Sequence, residues 1–495
     1  NLLASSHARD QRIQLRVAAD ADGRIRALEA DVLSDMGAYG VDAHGPLLEV
    51  GGTSSMIPGP YDIQAYRYRA RAVATNKTPL GAYRGVGLPM AVFAHERAMD
   101  IVAGELGLDR AEVRRRNLVR TDQLPYETTT GRTYDNGDYH RALELALDRA
   151  GYDEAMTRRH EANERGKLAG LGIASFVEYT GMNRKEYQNR GMLASTGRDT
   201  ALIELDGEGR ASVWVTMPSV GQGILTTFTQ IAAAGLGLPL KAVTVMPTDT
   251  AARDLIGQGT GASRGMAVGG NAVHNAAREL NRRICADAAE QLGLEHEEVE
   301  LREGRFVSSA GATLALGLAD LIARQPAGSY QETATYESTA VSYSYATHVC
   351  TVEIDPVTGE IEVLTYVVAD DCGRVINPMI VHGQARGGVV QGIGVALYER
   401  HQYDKNGQLQ TSSLMDYLIP TATDVPNITI ESFEMPTPAS VLGAKGMGES
   451  GTLGPPAAIA NAVADALGAE VNELPITPSL VRSVLRERYL EGSAT

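Results

Sequence analysis

The sequence predicts an α+β fold built from β-hairpin units and helices, and three observations carry that prediction. Three segments share one pattern: a β-rich run, a tight glycine-containing turn, and a second β-rich run ending near a glycine. Helical patterns, with apolar residues at three- and four-residue spacing, lie between them. Strands and helices alternate irregularly, which favours α+β over a parallel doubly wound sheet.

The first hairpin is 14–37, QLRVAADADGRIRALEADVLSDMG, turning at Asp22 and Gly23. A helix is expected over 89–106, with Pro89 suited to a first turn. The polar stretch 152–167 reads as helical, and a boundary is expected near Leu168. The second hairpin, 201–223, turns at Asp206 and Gly207, and a helix is expected over 226–236. A long alanine-rich helix is expected over 264–291. The segment 332–344 is rich in Ser, Thr and Tyr and reads as an extended connector or strand entry. The third hairpin, 350–373, turns between Pro356 and Gly359, and helices are expected over 382–398, 456–467 and 478–490.

Length and composition bound the function. A chain of 495 residues predicts about three domains, with expected bounds 1–168, 169–335 and 336–495. At 43% hydrophobic and 21% charged, it is able to bury an ordinary core. With 45 Lys and Arg against 61 Asp and Glu, the net charge of −16 argues against nucleic acid as a partner. Cys285, Cys350 and Cys372 are too scattered to ligate an iron–sulfur cluster or zinc by themselves. There is no apolar run of membrane-spanning length, and the expected compartment is the cytoplasm. The chain opens without Met and runs directly into a strand pattern, so an upstream piece on a separate polypeptide, or one cut away, is expected.

Five glycine-bounded loops sit where strands give way to helices, where backbone N–H groups converge on anionic ligands. In 79–90, PLGAYRGVGLPM, Arg84 reads either as a clamp for a substrate carbonyl or as the partner of a nearby carboxylate. In 217–231, Gln222 lies between two glycines at a helix start, with Thr226 and Thr227 one turn on. The loop 256–266, IGQGTGASRGM, lacks the GK[ST] ending of a P-loop, yet Ser263 and Arg264 at a helix start suit a phosphate. In 369–388, Cys372, Asn377 and Gln384 surround another glycine-rich helix entry; Cys372 by itself also reads as a small buried residue. The last loop, 442–463, matches GxGxxG at Gly446 to Gly451. Its Glu449 would repel a pyrophosphate, and no convincing strand precedes it, so a dinucleotide fold is rejected. Glu449 reads either as a general base whose pKa burial raises, or as a solvated loop carboxylate.

The order of these loops is more specific than any one of them. AYRG, HERAMDIVAGELGLD, EVRRRNL, GQG, GTGASRG, DDCGRVINP, GQARGGVVQGIG and GAKGMGESG follow one another. In that order the chain resembles the large subunits of molybdenum hydroxylases of the xanthine dehydrogenase and aldehyde oxidase family, over what corresponds to their C-terminal two-thirds. The resemblance implies molybdopterin-binding domains: the rest of a first one up to 168, and two halves of a second one divided at 335. It implies hydroxylation of an electron-poor carbon, in an N-heterocycle or an aldehyde, with oxygen from water. It makes Glu449 the base and places Arg84 on the substrate side. Gln222, Gly223 and Thr226 would contact a molybdopterin cytosine dinucleotide. Gly261, Ala262, Ser263, Arg264 and Gly265 would receive the pterin and its phosphates. Cys372, Asn377 and Gln384 would hold the dinucleotide end, and Lys445 with Gly446 the pterin near the base. Molybdenum would be held through the pterin dithiolene, with no protein ligand. Electrons would leave to [2Fe–2S] and FAD subunits.

Two departures qualify the resemblance. Gly85 follows Arg84, where copper-containing carbon monoxide dehydrogenases carry cysteine, which disfavours copper chemistry. The family's upstream glutamine and glycine–phenylalanine loops are absent, so a chain carrying the N-terminal part of the large subunit is an expected partner. Substrate-pocket residues are sought around 176–190 and near Arg84. A non-catalytic cofactor-binding assembly subunit and an NAD-dependent dehydrogenase remain the alternative readings.

Overall fold

The computed structural model describes residues 2, 4–40, 47–189, 192 and 195–492; of the region 176–190, Arg190 lies outside them. All three expected hairpins form. Gln11–Ala19 pairs antiparallel with Ile25–Gly37, Arg198–Leu205 with Ala211–Val215, and Ser342–Ile354 with Ile361–Asp371.

Each hairpin begins the same larger unit. A helix follows its second strand: Leu47–Met56, Ile224–Leu236 and Pro378–Leu397. A third strand then returns parallel to the hairpin's second strand: Ala65–Ala74, Val243–Val245 and Asn427–Phe433. Antiparallel strands need only a tight turn, whereas the parallel return needs a crossover, and the helix supplies it. After the third strand each unit runs through a glycine-bearing loop into a further helix. These loops carry Arg84, Ser263 and Glu449, one per unit. The second and third sheets gain a fourth strand, Tyr330–Glu337 and Leu168–Thr180 respectively.

The strand Leu168–Thr180 is buried at every position after the first and pairs with Ser342–Ile354 along its whole length. Its outer face receives the helix Pro455–Leu467 at very close range. A Cβ on Gly172 would stand 1.9 Å from the carbonyl oxygen of Ala458, and one on Gly170 2.1 Å from that of Ala462. Only glycine permits that approach, which fixes the helix that follows the Glu449 loop. The same strand carries Glu178 near its end, under the cavity.

One hydrophobic core gathers residues from 25–192 and 343–481; a second gathers 201–330. The segment expected as an extended connector, 332–344, is the end of Tyr330–Glu337 and the start of Ser342–Ile354, where the chain passes between two sheets. The expected bounds at 168 and 335 thus fall at the start of one strand and within another, while 169–192 shares its core with the first and third segments.

Most helices lie close to their expected positions, and one differs. Instead of a single α-helix from Arg264, the chain makes a π-helical turn, Gly265–Gly270, before the α-helix Asn271–Leu292. Three glycines in six residues weaken the regular ladder. The Asn271 side chain donates to the Ala267 carbonyl at 2.8 Å and accepts from the Leu442 backbone N–H at 3.0 Å. This tethers the start of the Glu449 loop.

Candidate functional site

Loops of all three units converge on a cavity of about 510 Å³. It is lined by Arg84, Gln222, Gly261, Ala262, Ser263, Arg264, Gly265, Cys372, Asn377, Gln384, Lys445, Gly446 and Glu449. Residues from loops hundreds of positions apart thus form one surface. Two expected contacts differ. Gly223 is the N-cap of Ile224–Leu236 in the left-handed region, against Ile380 rather than the cavity. Thr226 is exposed on that helix, and Thr227 lines the cavity instead, because one helical step turns the side chain about 100°.

The Glu449 carboxylate is held by the other two units. Its Oε1 accepts from the Gly85 backbone N–H at 2.9 Å, and its Oε2 from the Ser263 hydroxyl at 3.0 Å. The Glu449 backbone N–H donates back to Ser263 Oγ at 3.2 Å. Ala262 and Ser263 both have positive φ, 52° and 46°. Such backbone costs about 1–3 kcal/mol per residue and persists where the surroundings impose it. Here Gly446 presses on Ser263 so closely that a Cβ would fall 1.7 Å from the Ser263 carbonyl oxygen.

Among the described residues, Arg84 forms no ion pair with a carboxylate. Its Nε donates to the Gly448 carbonyl at 2.5 Å, and its other nitrogens to the Gln391 side chain and to the Gln384 backbone and side-chain oxygens at 3.0–3.1 Å. It therefore fastens the Glu449 loop to the helix Pro378–Leu397, and the substrate clamp of the sequence reading is replaced by a loop clamp. Arg264 also differs from expectation. Its guanidinium is fully buried against Asp199 at 2.5 Å and donates to the Gly259 and Arg198 carbonyls, so its charge is turned away from a phosphate.

Lys445 makes a fully buried ion pair with Asp371 at 2.6 Å and lies over the Tyr345 ring. Cys372 is buried, and burial pushes its thiol up. The Asn377 side chain caps Pro378–Leu397 by accepting from the Ile380 N–H, and it donates to Gln230. Gln222 accepts from the Val220 N–H at 2.7 Å and donates to the Pro218 carbonyl at 3.2 Å, which closes its own turn.

A second cavity, of about 300 Å³, adjoins the first. Leu48, Leu88, Tyr179, Met182, Tyr187 and Met192 give it an apolar, aromatic wall, and Arg84, Gly261, Ala262 and Glu449 belong to both cavities. Glu449 therefore stands at the junction.

Sequence reasoning missed Arg374 and Gln391, and it named the region 176–190, which gives Glu178, Tyr179, Met182 and Tyr187 to the smaller cavity, without singling out Glu178. Arg374 lines the larger cavity with an exposed side chain and is a cation able to meet an anion there; its place beside Cys372 was the available signal. Gln391 braces Arg84 from one turn beyond the loop. Glu178 lines the smaller cavity at only 1% exposure, inside a strand that reads as core. Burial, and then the nearness of Glu449, push its carboxyl up to about 8. The GxGxxG match at Gly446 to Gly451 follows a long loop after the strand Asn427–Phe433, not a strand end, so it lacks the setting of a dinucleotide fingerprint.

Residues 145–426 match a molybdopterin cofactor-binding domain family, and residues 1–118 match a second family of the same description. The nicotine 6-hydroxylase large subunit of Paenarthrobacter nicotinovorans is 37% identical over 501 residues, which cover 97% of this chain and 60% of that one. The carbon monoxide dehydrogenase large chain of Hydrogenophaga pseudoflava is 33% identical, over 99% of this chain and 62% of its own length. The crystal structure of quinoline 2-oxidoreductase from Pseudomonas putida 86 superposes with a TM-score of 0.92 at 36% identity, covering 98% of this chain and 63% of that chain. The sequence thus spans about 60% of the length of the relatives it matches.

Proposed function

This chain belongs to the molybdopterin cofactor-binding family of molybdenum-hydroxylase large subunits, and from that premise we propose that it holds the cofactor and the base for hydroxylating an electron-poor carbon. The observation that supports this reading is the position of Glu449, common to a cofactor-sized cavity and an aromatic-walled one.

The larger cavity fits a pterin that bears phosphates. A Cβ added at Gly221 or Gly261 would meet nothing within 4 Å, so the lining leaves open floor beside backbone N–H groups. Arg374 is the lining cation placed for a phosphate, and Gln222, Asn377 and Gln384 offer side-chain amides to a nucleotide end. We assign the cytosine dinucleotide form to this end of the cavity. Ser263 and Gly446 line the cavity beside Glu449 and would face the pterin, whereas the Lys445 ammonium, expected there, is turned to Asp371. A molybdopterin group, when bound, supplies two-electron redox chemistry coupled to transfer of a water-derived oxygen.

The chain's own residues handle substrate and proton. The smaller cavity is large enough for a one- or two-ring molecule. Its tyrosines and methionines favour a flat N-heterocycle, with an aldehyde as the second candidate. Glu449 accepts the proton released on the cofactor side of the substrate. The Gly85 N–H and Ser263 O–H orient the carboxylate, and the Arg84 clamp on the Gly448 carbonyl holds its loop. Such positioning and proton acceptance together are worth several powers of ten in rate. Turnover requires the part of a large subunit that this sequence does not span, an iron–sulfur subunit and an FAD subunit.

The test is to purify the complex and analyse its denatured extract. Pterin with a cytosine nucleotide, and molybdenum at one per chain, are expected. A nicotinamide nucleotide in their place, or a complex with neither, would overturn the assignment.

A further inference from the structure

The Ser263 hydroxyl lies between two carboxyl groups. It touches Glu178 Oε1 on one side and Glu449 Oε2 at 3.0 Å on the other. It also accepts the Glu449 backbone N–H at 3.2 Å. A hydroxyl has one proton to donate. If both carboxyls were ionised, Ser263 would satisfy one of them and press a lone pair against the other, in a buried setting where like charges repel strongly. The pair therefore shares one added proton.

Burial decides where that proton resides. Glu178 is 1% exposed, and its other oxygen accepts from the Ser450 hydroxyl at 2.6 Å and the Ser344 hydroxyl at 3.2 Å. Glu449 is only partly buried and opens on both cavities. We propose that Glu178 is a neutral carboxylic acid that donates from Oε1 to Ser263, so that Ser263 gives its own proton to Glu449 and Glu178 is the positioning residue of the base. The hydroxyl then donates once and accepts twice, with every contact satisfied. The chain reads Glu178 O–H to Ser263 O–H to Glu449, with the negative charge at the cavity end.

The ionisable groups acting on Glu178 agree with this assignment. From the loop after Gly448 comes the like charge of Glu449, which with burial pushes Glu178 up to about 8. From 79–90 comes Arg84, whose donors go to other acceptors, and from 256–266 comes Arg264, turned to Asp199. From the neighbouring strand the Ser344 hydroxyl donates to it.

The inference rests on Glu449 as the base, and its main readout does not need turnover. Infrared difference spectra of the assembled complex, with ¹³C-labelled glutamate, at pH 7 are compared for wild type, Glu178→Gln and Glu449→Gln. A protonated-carboxyl band that is lost in Glu178→Gln and kept in Glu449→Gln is expected. A band lost in Glu449→Gln, or unchanged in Glu178→Gln, overturns the proposal. If Glu178→Gln does not assemble, wild type against Glu449→Gln still decides.

Kinetics provide the second arm. Glu178→Ala should lower kcat about tenfold, the scale of a lost buried hydrogen bond. Gln, a neutral donor of the same shape, should recover most of that loss and remove a fall in kcat/KM above about pH 8. A Gln variant as slow as the Ala variant would show that an ionised Glu178 is needed, and would overturn the proposal.

Discussion

Two buried polar networks of this molecule differ in how they treat charge. In the first, Arg114 is fully buried with Glu96 at 2.7 Å and reaches Asp100 at 2.7 Å. Its remaining donors go to the carbonyls of Arg110, Glu96 and Ile173, and the Tyr61 hydroxyl donates to the other Glu96 oxygen. Arg110 also reaches Asp100 at 3.8 Å, so two cations meet two carboxylates and the Arg114 donors are spent. In the second, Glu178 and Glu449 share a serine, and Arg84, a cation acting on both, gives its donors to carbonyl and amide oxygens. The first network closes on itself and ties the helix Arg110–Asn117 to Leu88–Leu106 and to the strand Leu168–Thr180. The second leaves a carboxylate facing two cavities. A closed network serves the fold, and an open one is available for chemistry.

Arg114→Met would break the contrast most strongly. It leaves Glu96 buried without its partner, so about 3–5 kcal/mol of unfolding free energy should be lost in urea titrations of the complex. A loss under about 1 kcal/mol would show that this network is not closed in the sense argued here. Ser263→Ala should do less to the fold and more to the reaction. An unfolding cost of about 1–3 kcal/mol, that of a buried hydrogen bond left unmade, should accompany a 10- to 100-fold slower turnover. Equal effects on both networks would erase the distinction.

The pH dependence of stability sharpens it further. Glu178 is raised from 4.5 to about 8, so the folded state retains a proton that the unfolded chain releases. Its contribution is therefore full below pH 4.5 and is lost as pH rises through 8. Wild type should lose up to about 1.4 kcal/mol per pH unit across that window relative to Glu178→Gln. Parallel curves for the two proteins would contradict a neutral Glu178. The smallest effect belongs to Thr226→Ala. That residue is exposed, so stability should stay within about 0.5 kcal/mol and pterin content should not change; loss of pterin would restore Thr226 to the cavity.

The sequence shows the hairpins plainly, because period-two runs and Asp/Gly turns are local signals. It does not show that each hairpin extends into the same helix-and-parallel-strand unit, since the parallel return of Val243–Val245 or Asn427–Phe433 depends on distant pairing. The glycine loops of the site are legible in the same way. Side-chain direction within them is not. Arg264 and Arg84 both read as cations for a ligand, and tertiary partners redirect both. Glu178 falls within the expected pocket region 176–190 but stands in FVEYT, an ordinary buried strand segment, and only the approach of Ser263 from another unit gives it meaning.

Replacement of Glu449 by Gln in the assembled complex tests the central claim most directly, with pterin and molybdenum measured on the same sample. Cofactor content equal to wild type, with turnover lower by ~10²–10⁴-fold, is the expected result. Normal turnover at full cofactor content would contradict it.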